Sequence, residues 1–180
     1  MGYLFAGKEI AAKRLEKLHG LFFSATKNFL QSHVSKKINL LVDLGCGPGY
    51  TTRALTSIIN ANEYVGLDNS KYFIEWAREL SKDFPKIGYK LHEITKIPFP
   101  TEQADIIYSR FLLTYIHTPK RSIMDWGTQL SKGGMLIIEE TEDIKTEVPV
   151  FNPSSAHLDI KCVGILIYGV RCCHTLHNVK

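Results

Sequence analysis

Three alternating glycines follow a short apolar run and give this chain its clearest chemical signal. Gly45, Gly47 and Gly49 come directly after the run at residues 40–44. The run predicts a buried strand, and the glycines predict a tight turn into a helix. Glycine can adopt a positive φ, and it lets a ligand approach main-chain N–H groups that any Cβ would obstruct. An ordinary strand-to-helix turn needs only one glycine, so the triplet predicts a bound ligand at this turn.

The spacing of the glycines narrows the class of ligand. The dinucleotide fingerprint is G-x-G-x-x-G, in which the third small residue allows the helix to pack closely. Here the glycines alternate, and Tyr50 occupies the position of the fingerprint's last glycine. A nicotinamide or flavin dinucleotide is therefore disfavoured.

The same loop resembles motif I of class I S-adenosylmethionine-dependent methyltransferases. The resemblance is carried by Asp43 and the three glycines at two-residue spacing. It implies S-adenosylmethionine as the cofactor, with its amino-acid and ribose moieties wrapped by a loop of five binding residues, namely Asp43, Gly45, Cys46, Gly47 and Gly49. We expect Cys46 to be a small packing residue, since methyl transfer from a sulfonium needs no enzyme nucleophile.

A second acidic position follows nineteen residues after Gly49. Residues 64–68 predict a second strand that ends in Asp68, with Asn69 directly after it. In α/β nucleotide-binding folds this place holds ribose hydroxyls, and a carboxylate can accept two hydrogen bonds from a vicinal diol. Two alternatives stay open: Asp68 as an Asx-turn residue before a helix, and Asp43 as a simple cap of its turn.

Residues 89–100 extend the resemblance to the third strand of the family and the turn after it. The match implies that Glu93 faces the adenine amino group, with Ile94 beside it. The alternative for Glu93 is a solvated loop acid.

Residues 104–113 are similar to the fourth strand of the family's small-molecule branch, known as type 11. In that branch the loop at the position of Ser109 and Arg110 flanks the cofactor. In all, four matching segments lie in order between about residues 38 and 140. A glycine loop alone is weak evidence, but four ordered matches are strong evidence for the resemblance.

The N-terminal segment resembles the helix that lies over the cofactor in the family. Apolar residues recur at three, four and seven positions within 8–31, which predicts a helix. The resemblance implies that Arg14 approaches the methionine carboxylate, and the alternative is an exposed helix arginine. No catalytic base is identified: Tyr115 and His117 are the nearest candidates after the fourth strand, and a structural role is favoured for each.

The elements that position these residues alternate along the chain. Helices are predicted at 51–59, 71–80 and 118–130, each after a predicted strand, and a fifth strand is predicted at 135–140. Such alternation indicates βαβ units and a parallel sheet. The expected fold class is α/β, a Rossmann-like doubly wound and mainly parallel sheet with an N-terminal lid helix.

We expect a single domain with a lid at residues 1–37, a cofactor-binding core at 38–150 and an atypical tail at 151–180. The family adds a helix and an antiparallel hairpin after the fifth strand, and about thirty residues are too few for them. Residues 160–170 are apolar enough to cover the edge of the fifth strand, as a strand or as a short helix, whereas 171–180 resemble neither helix nor strand. The chain is therefore expected to be truncated, with an incomplete hairpin.

Composition and charge disfavour several classes of partner. The 180 residues are 44% hydrophobic, no apolar run is long enough for a membrane span, and the net charge of +4 does not indicate nucleic acid. No secretory signal is recognised, so a cytoplasmic location with reduced cysteines is expected. The adjacent Cys172 and Cys173 beside His174 lack metal-site spacing, and no metal is expected.

Two functions remain in view. The first is methyl transfer from S-adenosylmethionine to an unidentified small-molecule substrate. The second is a non-catalytic protein that binds the cofactor or a partner after loss of the acceptor wall. The tail discriminates between them, because an enzyme must enclose its acceptor whereas a binding protein needs only the glycine loop and Asp68. The sequence indicates no oligomeric state.

Overall fold

The structure is a computed structural model that describes residues 8–34, 36–141, 145–147, 157–159, 163–169 and 172–176, with side chains over 9–34 and 36–140. Within these ranges the elements are, in chain order, α1 (Lys8–His33), β1 (Ile38–Leu44), α2 (Tyr50–Leu55), β2 (Ala61–Asp68), α3 (Lys71–Leu80), β3 (Ile87–Leu91), β4 (Ala104–Arg110), a 3-10 turn (Leu113–Tyr115), α4 (Pro119–Gly127), β5 (Leu130–Thr141), β6 (Lys145–Glu147), β7 (His157–Asp159), β8 (Val163–Gly169) and β9 (Cys172–Leu176).

A seven-stranded sheet in the order β3-β2-β1-β4-β5-β8-β9 forms the centre of the described chain. The pairs among β1 to β5 are all parallel, and the strand order reverses between β1 and β4. In open sheets of this kind ligands bind outside the carboxyl ends of the strands, at the point of reversal. The loops after β1 and β4 lie at that point. The predicted α/β, doubly wound and mainly parallel fold is confirmed.

Helices cover both faces of the sheet, which explains why the central strands are apolar on both sides. On one face, Leu41 and Ile106 pack in a buried cluster with Phe29 and Leu30 of α1. On the other face, Trp126 of α4 lies in a second cluster with residues such as Val42, Ile107 and Leu136. Fully burying one such aliphatic side chain stabilises the fold by roughly 1.5–3 kcal/mol.

The predicted helices are present, with some shifted ends. Helix α3 spans the predicted residues, and the Ser70 hydroxyl caps it by accepting a 3.4 Å hydrogen bond from the Phe73 N–H. Proline at the first turn of α4 also agrees with the prediction. Helix α2 ends at Leu55 and is therefore shorter than predicted. After Leu55 the backbone N–H groups bond to carbonyls three residues earlier instead of four, as the Thr56 N–H does to the Arg53 carbonyl. Strand β5 begins five residues before the predicted Met135.

The end of the chain follows the sequence prediction in one strand and departs from it in the next. Strand β8 pairs antiparallel with β5 from Met135↔Gly169 to Thr141↔Val163, so the predicted segment covers the edge of β5, and of the two predicted forms it takes that of a strand. The expectation that 171–180 form neither helix nor strand is wrong for β9, which pairs with β8. The edge of β8 offers backbone hydrogen-bonding groups to any extended segment, whatever its side-chain pattern. Between β5 and β8, β6 and β7 pair with each other.

Candidate functional site

The glycine loop after β1 has the backbone conformation that its sequence predicts. The φ angles are 65° at Gly45, 52° at Gly47 and 83° at Gly49, all in the left-handed region that favours glycine. The loop is tied to the neighbouring strand because the Cys46 N–H donates to the Leu67 carbonyl over 3.1 Å. The turn is therefore fixed between β1 and β2, at the carboxyl ends of both strands.

The three glycines do not serve the same purpose. A Cβ at Gly49 would lie 2.5 Å from the Tyr89 hydroxyl and 3.0 Å from Ala77 Cβ, and one at Gly45 would lie 2.7 Å from Leu112 Cδ1. At Gly47 the nearest atom would be Leu15 Cδ1, at an ordinary contact distance of 3.5 Å. Gly45 and Gly49 thus allow the protein's own packing. Gly47 alone among them could carry a Cβ without a clash in the protein, in ordinary contact with Leu15.

Asp68, the last residue of β2, binds the glycine loop directly. Its Oδ2 accepts a 2.9 Å hydrogen bond from the Gly47 N–H, and its Oδ1 accepts one of 2.8 Å from the Ser70 N–H. The second contact is the Asx-type turn that the sequence left open, so Asp68 makes that turn and contacts the loop as well. Each oxygen keeps a further lone pair for a ligand hydroxyl. Burial raises the pKa of this carboxyl above its usual value.

Asn69 and Glu93 meet beside Asp68, as expected from the ends of adjacent parallel strands. Asn69 Nδ2 donates to Glu93 Oε2 over 3.1 Å, and Glu93 Oε1 accepts from the Thr95 N–H and hydroxyl. Burial opposes the charged form of Glu93, but the hydrogen bonds from Asn69 and Thr95 outweigh it and lower its pKa. Ile94 is buried, and its carbonyl accepts a 2.8 Å bond from the Trp126 indole N–H. The loop after β3 is therefore anchored to α4.

Asp43 and Cys46 lie beneath the loop, with their side chains buried. Asp43 accepts a 2.6 Å hydrogen bond from the Thr52 hydroxyl, which ties the start of α2 to β1. Burial raises the pKa of Asp43 to about 7. Burial, with the nearby carboxyls of Asp43 and Asp68, raises the pKa of the Cys46 thiol well above its usual value. Cys46 packs with Ile74, Ala77 and Tyr89, in agreement with its predicted packing role.

The end of β4 carries a guanidinium that α1 and α2 hold in place. Arg110 Nη2 donates to Thr51 Oγ1 over 2.7 Å and lies 3.0 Å from His19 Nδ1. Arg110 Nη1 and the Ser109 hydroxyl are buried and have no hydrogen-bonding partner in the part of the chain whose side chains are described. Phe111, the next residue, has a φ of 52°, which a non-glycine residue adopts only at a cost.

His19 and Thr51 are site residues that the sequence analysis missed. They lie 91 and 59 residues from Arg110 along the chain, and neither belongs to a recognisable local pattern. Burial lowers the pKa of His19 to about 4, and the positive charges of Arg110 and Arg53 lower it further. His19 is therefore neutral near pH 7, and its Nδ1 is the acceptor because a guanidinium can only donate.

Helix α1 contacts the glycine loop, with Leu15 next to Gly47. The Thr26 hydroxyl lies 2.9 Å from both carboxyl oxygens of Glu139, which also accepts from the Tyr108 hydroxyl. The contact between Thr26 and Glu139 fastens α1 to β5, and the contact between Tyr108 and Glu139 joins β5 to β4. Arg14 lies on an exposed surface of the helix.

The candidate bases lie outside this cluster. Tyr115 ends the 3-10 turn after β4 and is 57% exposed, and His117 is exposed in the loop before α4. A cleft of about 450 Å³ lies at the opposite end of the sheet, between the end of α2 and the start of β3, and includes Ile59, Phe84 and Lys86. It is remote from the carboxyl ends of the strands, so we do not assign the ligand to it.

The described residues contain neither a membrane-spanning helix nor a cluster of metal-ligating side chains. None of their helices combines the length and the apolar composition that a membrane span requires. Where side chains are described, no three His, Cys, Asp or Glu residues are grouped as metal ligands. The side chains of Cys172, Cys173 and His174 lie outside the described ones.

The comparison with known proteins identifies a family for this arrangement. The family described as "Methyltransferase domain" matches residues 42–138, more than half of the chain. The trans-aconitate 2-methyltransferase of Delftia acidovorans is 34% identical over 101 residues, which cover 55% of this chain and 37% of that protein. The chain spans less than half the length of the curated relatives that it matches, for example 41% and 37% of two others.

Solved structures show the same fold. The N-methyltransferase NodS of Bradyrhizobium japonicum, in complex with S-adenosylhomocysteine, matches with a TM-score of 0.58 at 20% identity, covering 68% of this chain and 63% of its own. An S-adenosylmethionine-dependent methyltransferase of Mesorhizobium loti matches with a TM-score of 0.56 at 22% identity, covering 74% and 63%. At these identities the likeness extends to the fold alone.

Proposed function

Because the chain belongs to the methyltransferase domain family, we propose that it binds S-adenosylmethionine at the glycine loop and transfers a methyl group to a small molecule. One observation carries this proposal: the Gly47 N–H and Asp68 Oδ2 are hydrogen bonded over 2.9 Å, at the one loop glycine where a Cβ would meet no protein atom closer than Leu15 Cδ1 at 3.5 Å. A backbone free of side chains next to a carboxylate suits a ligand that carries a ribose diol.

The residues around the loop fit each part of the cofactor. The free lone pairs of Asp68 suit the two ribose hydroxyls, and the adjacent pair of Asn69 and Glu93 suits the amino group of adenine. Gly47 lets the amino-acid part approach the main chain. Asp43 and Cys46 are buried beneath the loop, and we assign to them the support of the loop rather than ligand contact.

The chemistry that S-adenosylmethionine supplies when bound is a methyl group activated by a positively charged sulfur. The chain's own contribution is to hold that methyl group in line with the acceptor and to keep water away. Helix α1 is suited to the second task because Leu15 lies over Gly47. Orientation in a dry site accounts for most of the rate of such transfers.

A carboxylic acid is the acceptor that we favour. The relative from Delftia acidovorans is named for trans-aconitate, which is a tricarboxylate. A carboxylate is already ionised near pH 7, so its methylation needs no general base. This accords with the exposed positions of Tyr115 and His117, neither of which is enclosed as a base would be. A hydroxyl acceptor, by contrast, requires a base in the site.

Calorimetric titration with S-adenosylmethionine, S-adenosylhomocysteine and NAD tests the cofactor assignment. We expect saturable binding of the first two ligands and none of NAD. Binding of NAD alone, or of no ligand, would contradict the proposal.

Transfer of a radiolabelled methyl group to trans-aconitate, with the fully esterified compound as the matched control, tests the acceptor. We expect label in the acid and none in the ester. Tight binding of S-adenosylhomocysteine without transfer to any carboxylic acid would favour the non-catalytic binding protein instead.

A further inference from the structure

Glu140 lies near the end of β5 and bonds to the turn that follows β4. Its Oε1 accepts hydrogen bonds of 2.7 Å from the backbone N–H groups of both Leu112 and Leu113. These two groups open the 3-10 turn, where no carbonyl of the turn itself can accept from them. Leu112, at the cap position, has an apolar side chain that cannot accept them either. Glu140 therefore caps the turn from a neighbouring strand, 28 residues from Leu112 along the chain.

The backbone at the start of this turn needs support from other elements. Phe111 has a φ of 52°, which a non-glycine residue adopts only at a cost. Its N–H donates to the Glu139 carbonyl of β5 over 2.9 Å, and its ring contacts Phe22 of α1 edge-on, with the centroids 4.8 Å apart. Contacts from α1 and β5 thus hold the segment in a conformation that a free peptide would not favour.

The turn also places a side chain against the glycine loop. A Cβ at Gly45 would lie 2.7 Å from Leu112 Cδ1 and 3.1 Å from its Cδ2, so Leu112 fills the space next to Gly45. Leu112 is half-buried and packs against the cluster that includes Val42 and Ile107. Two successive contacts therefore join β5 to the glycine loop. The Glu140 carboxylate holds the backbone of Leu112, and the Leu112 side chain packs against Gly45.

The carboxylate occupies this place at a cost to stability. Glu140 Oε2 is shielded from solvent and has no hydrogen-bonding partner among the described residues. Burial raises the pKa of Glu140, although the hydrogen bonds from Leu113 and Leu112 act in the opposite direction. An apolar side chain would avoid the burial of an unpaired oxygen, but it would leave both N–H groups of the turn without this acceptor. The hydrogen bonds to the turn are thus the task that the carboxylate performs.

We propose that Glu140 is a positioning residue for ligand binding, which fixes the glycine loop by holding Leu112 against Gly45. The inference rests on the proposed function and deepens it, because it assigns part of the ligand affinity to a side chain that acts through the turn. The place of Glu140 is in turn set by the pairing of β5 with β8, in which it lies opposite Gly164.

Calorimetric titration with S-adenosylhomocysteine compares the wild type with Glu140→Ala, Glu140→Gln and the exposed control Glu102→Ala. We expect Glu140→Ala to bind about threefold to tenfold more weakly, the effect of losing the hydrogen bonds that hold the turn. Glu140→Gln keeps an oxygen acceptor and should restore most of the affinity, and Glu102→Ala should bind as the wild type does. Wild-type affinity in Glu140→Ala, or no recovery in Glu140→Gln, would overturn the positioning role.

A double-mutant cycle with Leu112→Ala tests whether Glu140 acts through Leu112. Leu112→Ala alone should also weaken binding of S-adenosylhomocysteine, because it removes the contact with Gly45. The double variant should bind about as weakly as the weaker single variant, since the two changes interrupt the same series of contacts. Factors that multiply in the double variant would mean that the two residues act independently, and that result would overturn the inference.

Amide hydrogen exchange in the ligand-free protein separates failure of this inference from failure of the proposed function. In Glu140→Ala we expect about tenfold faster exchange at Leu112 and Leu113, and also at Cys46 and Gly47, whose N–H groups are bonded within the glycine loop's surroundings. The amides of β2 should exchange as in the wild type. Faster exchange at the turn alone, or across the whole sheet, would show a purely structural role.

The same measurement covers two further cases. If Glu140→Ala does not fold, Leu112→Ala takes its place, and unchanged exchange at Cys46 and Gly47 in that variant would overturn the inference. If the wild type does not bind S-adenosylhomocysteine, the proposed function fails. Faster exchange at the glycine loop in Glu140→Ala would then still support the coupling of Glu140 to that loop.

Discussion

The backbone N–H of Gly47 is hydrogen bonded to Asp68 Oδ2 over 2.9 Å, which joins two loops that are 21 residues apart in the chain. The bond places the one loop glycine at which a Cβ would meet no clash in the protein beside the carboxylate that ends β2. Asp68 thus fixes the shape of the loop in addition to presenting oxygens to a ligand. Removal of the Asp68 carboxylate is therefore expected to lower both ligand affinity and the stability of the fold.

Asp68→Ala should weaken S-adenosylhomocysteine binding by about 10- to 100-fold and also destabilise the fold by roughly 1–3 kcal/mol, because the N–H groups of Gly47 and Ser70 lose their acceptor. Titration calorimetry and urea unfolding measure the two effects. Asp83→Ala, at an exposed position, is the control. Unchanged affinity in the Asp68 variant would refute the role of Asp68 in binding.

Gly47→Ala should fold but lose ligand binding, because its new Cβ meets only Leu15 at 3.5 Å within the protein and would occupy the space above the loop. The positive φ adds a cost of roughly 1–2 kcal/mol. Gly49→Ala should destabilise the fold more strongly, since its Cβ would collide with Tyr89. Thermal unfolding and titration of both variants check this. Tight binding by Gly47→Ala would show that the ligand lies elsewhere.

Asp43→Asn should change how stability depends on pH. Burial raises the pKa of Asp43 to about 7 in the folded state, from 3.8, so the folded protein binds more protons than the unfolded one between about pH 4 and 7. The contribution of this group to stability therefore falls as pH rises through that window, by roughly 4 kcal/mol at most. Unfolding of both proteins at several pH values gives the difference. A difference that is constant from pH 4 to 7 would mean that Asp43 stays ionised.

Deletion after Phe151 should produce a self-associating protein, because it removes β8 and exposes the hydrogen-bonding edge of β5 from Met135 to Thr141. Size-exclusion chromatography with light scattering measures the association. Deletion after Gly169 removes β9 but keeps β8 on that edge, and this control is expected to associate less. A monomeric protein with an unchanged melting temperature after the longer deletion would contradict the prediction.

Much of the fold was predictable because its signals are local. The apolar run of β1, the three glycines and the Ser70 cap each depend on a few neighbouring residues, and the parallel order follows from the alternation of strands and helices. The end of α2 and the existence of β9 were predicted wrongly. A strand such as β9 is stabilised by backbone pairing with a segment already in place, which leaves little trace in its own sequence.

The features of the candidate site also fall into those that the local sequence predicts and those that depend on contacts between distant segments. The sequence by itself determined the glycine loop and the acid that ends β2, because strand ends and glycine spacing are local properties. Only the tertiary structure decided that a Cβ at Gly47 would lie in ordinary contact with Leu15 whereas one at Gly49 would collide with Tyr89. It also decided that Asp43 is buried and bonded to Thr52, and that His19 and Thr51 hold Arg110. These relationships are contacts between distant segments. They are set by how α1 and α2 pack on the sheet, and no pattern within a short window of residues encodes them.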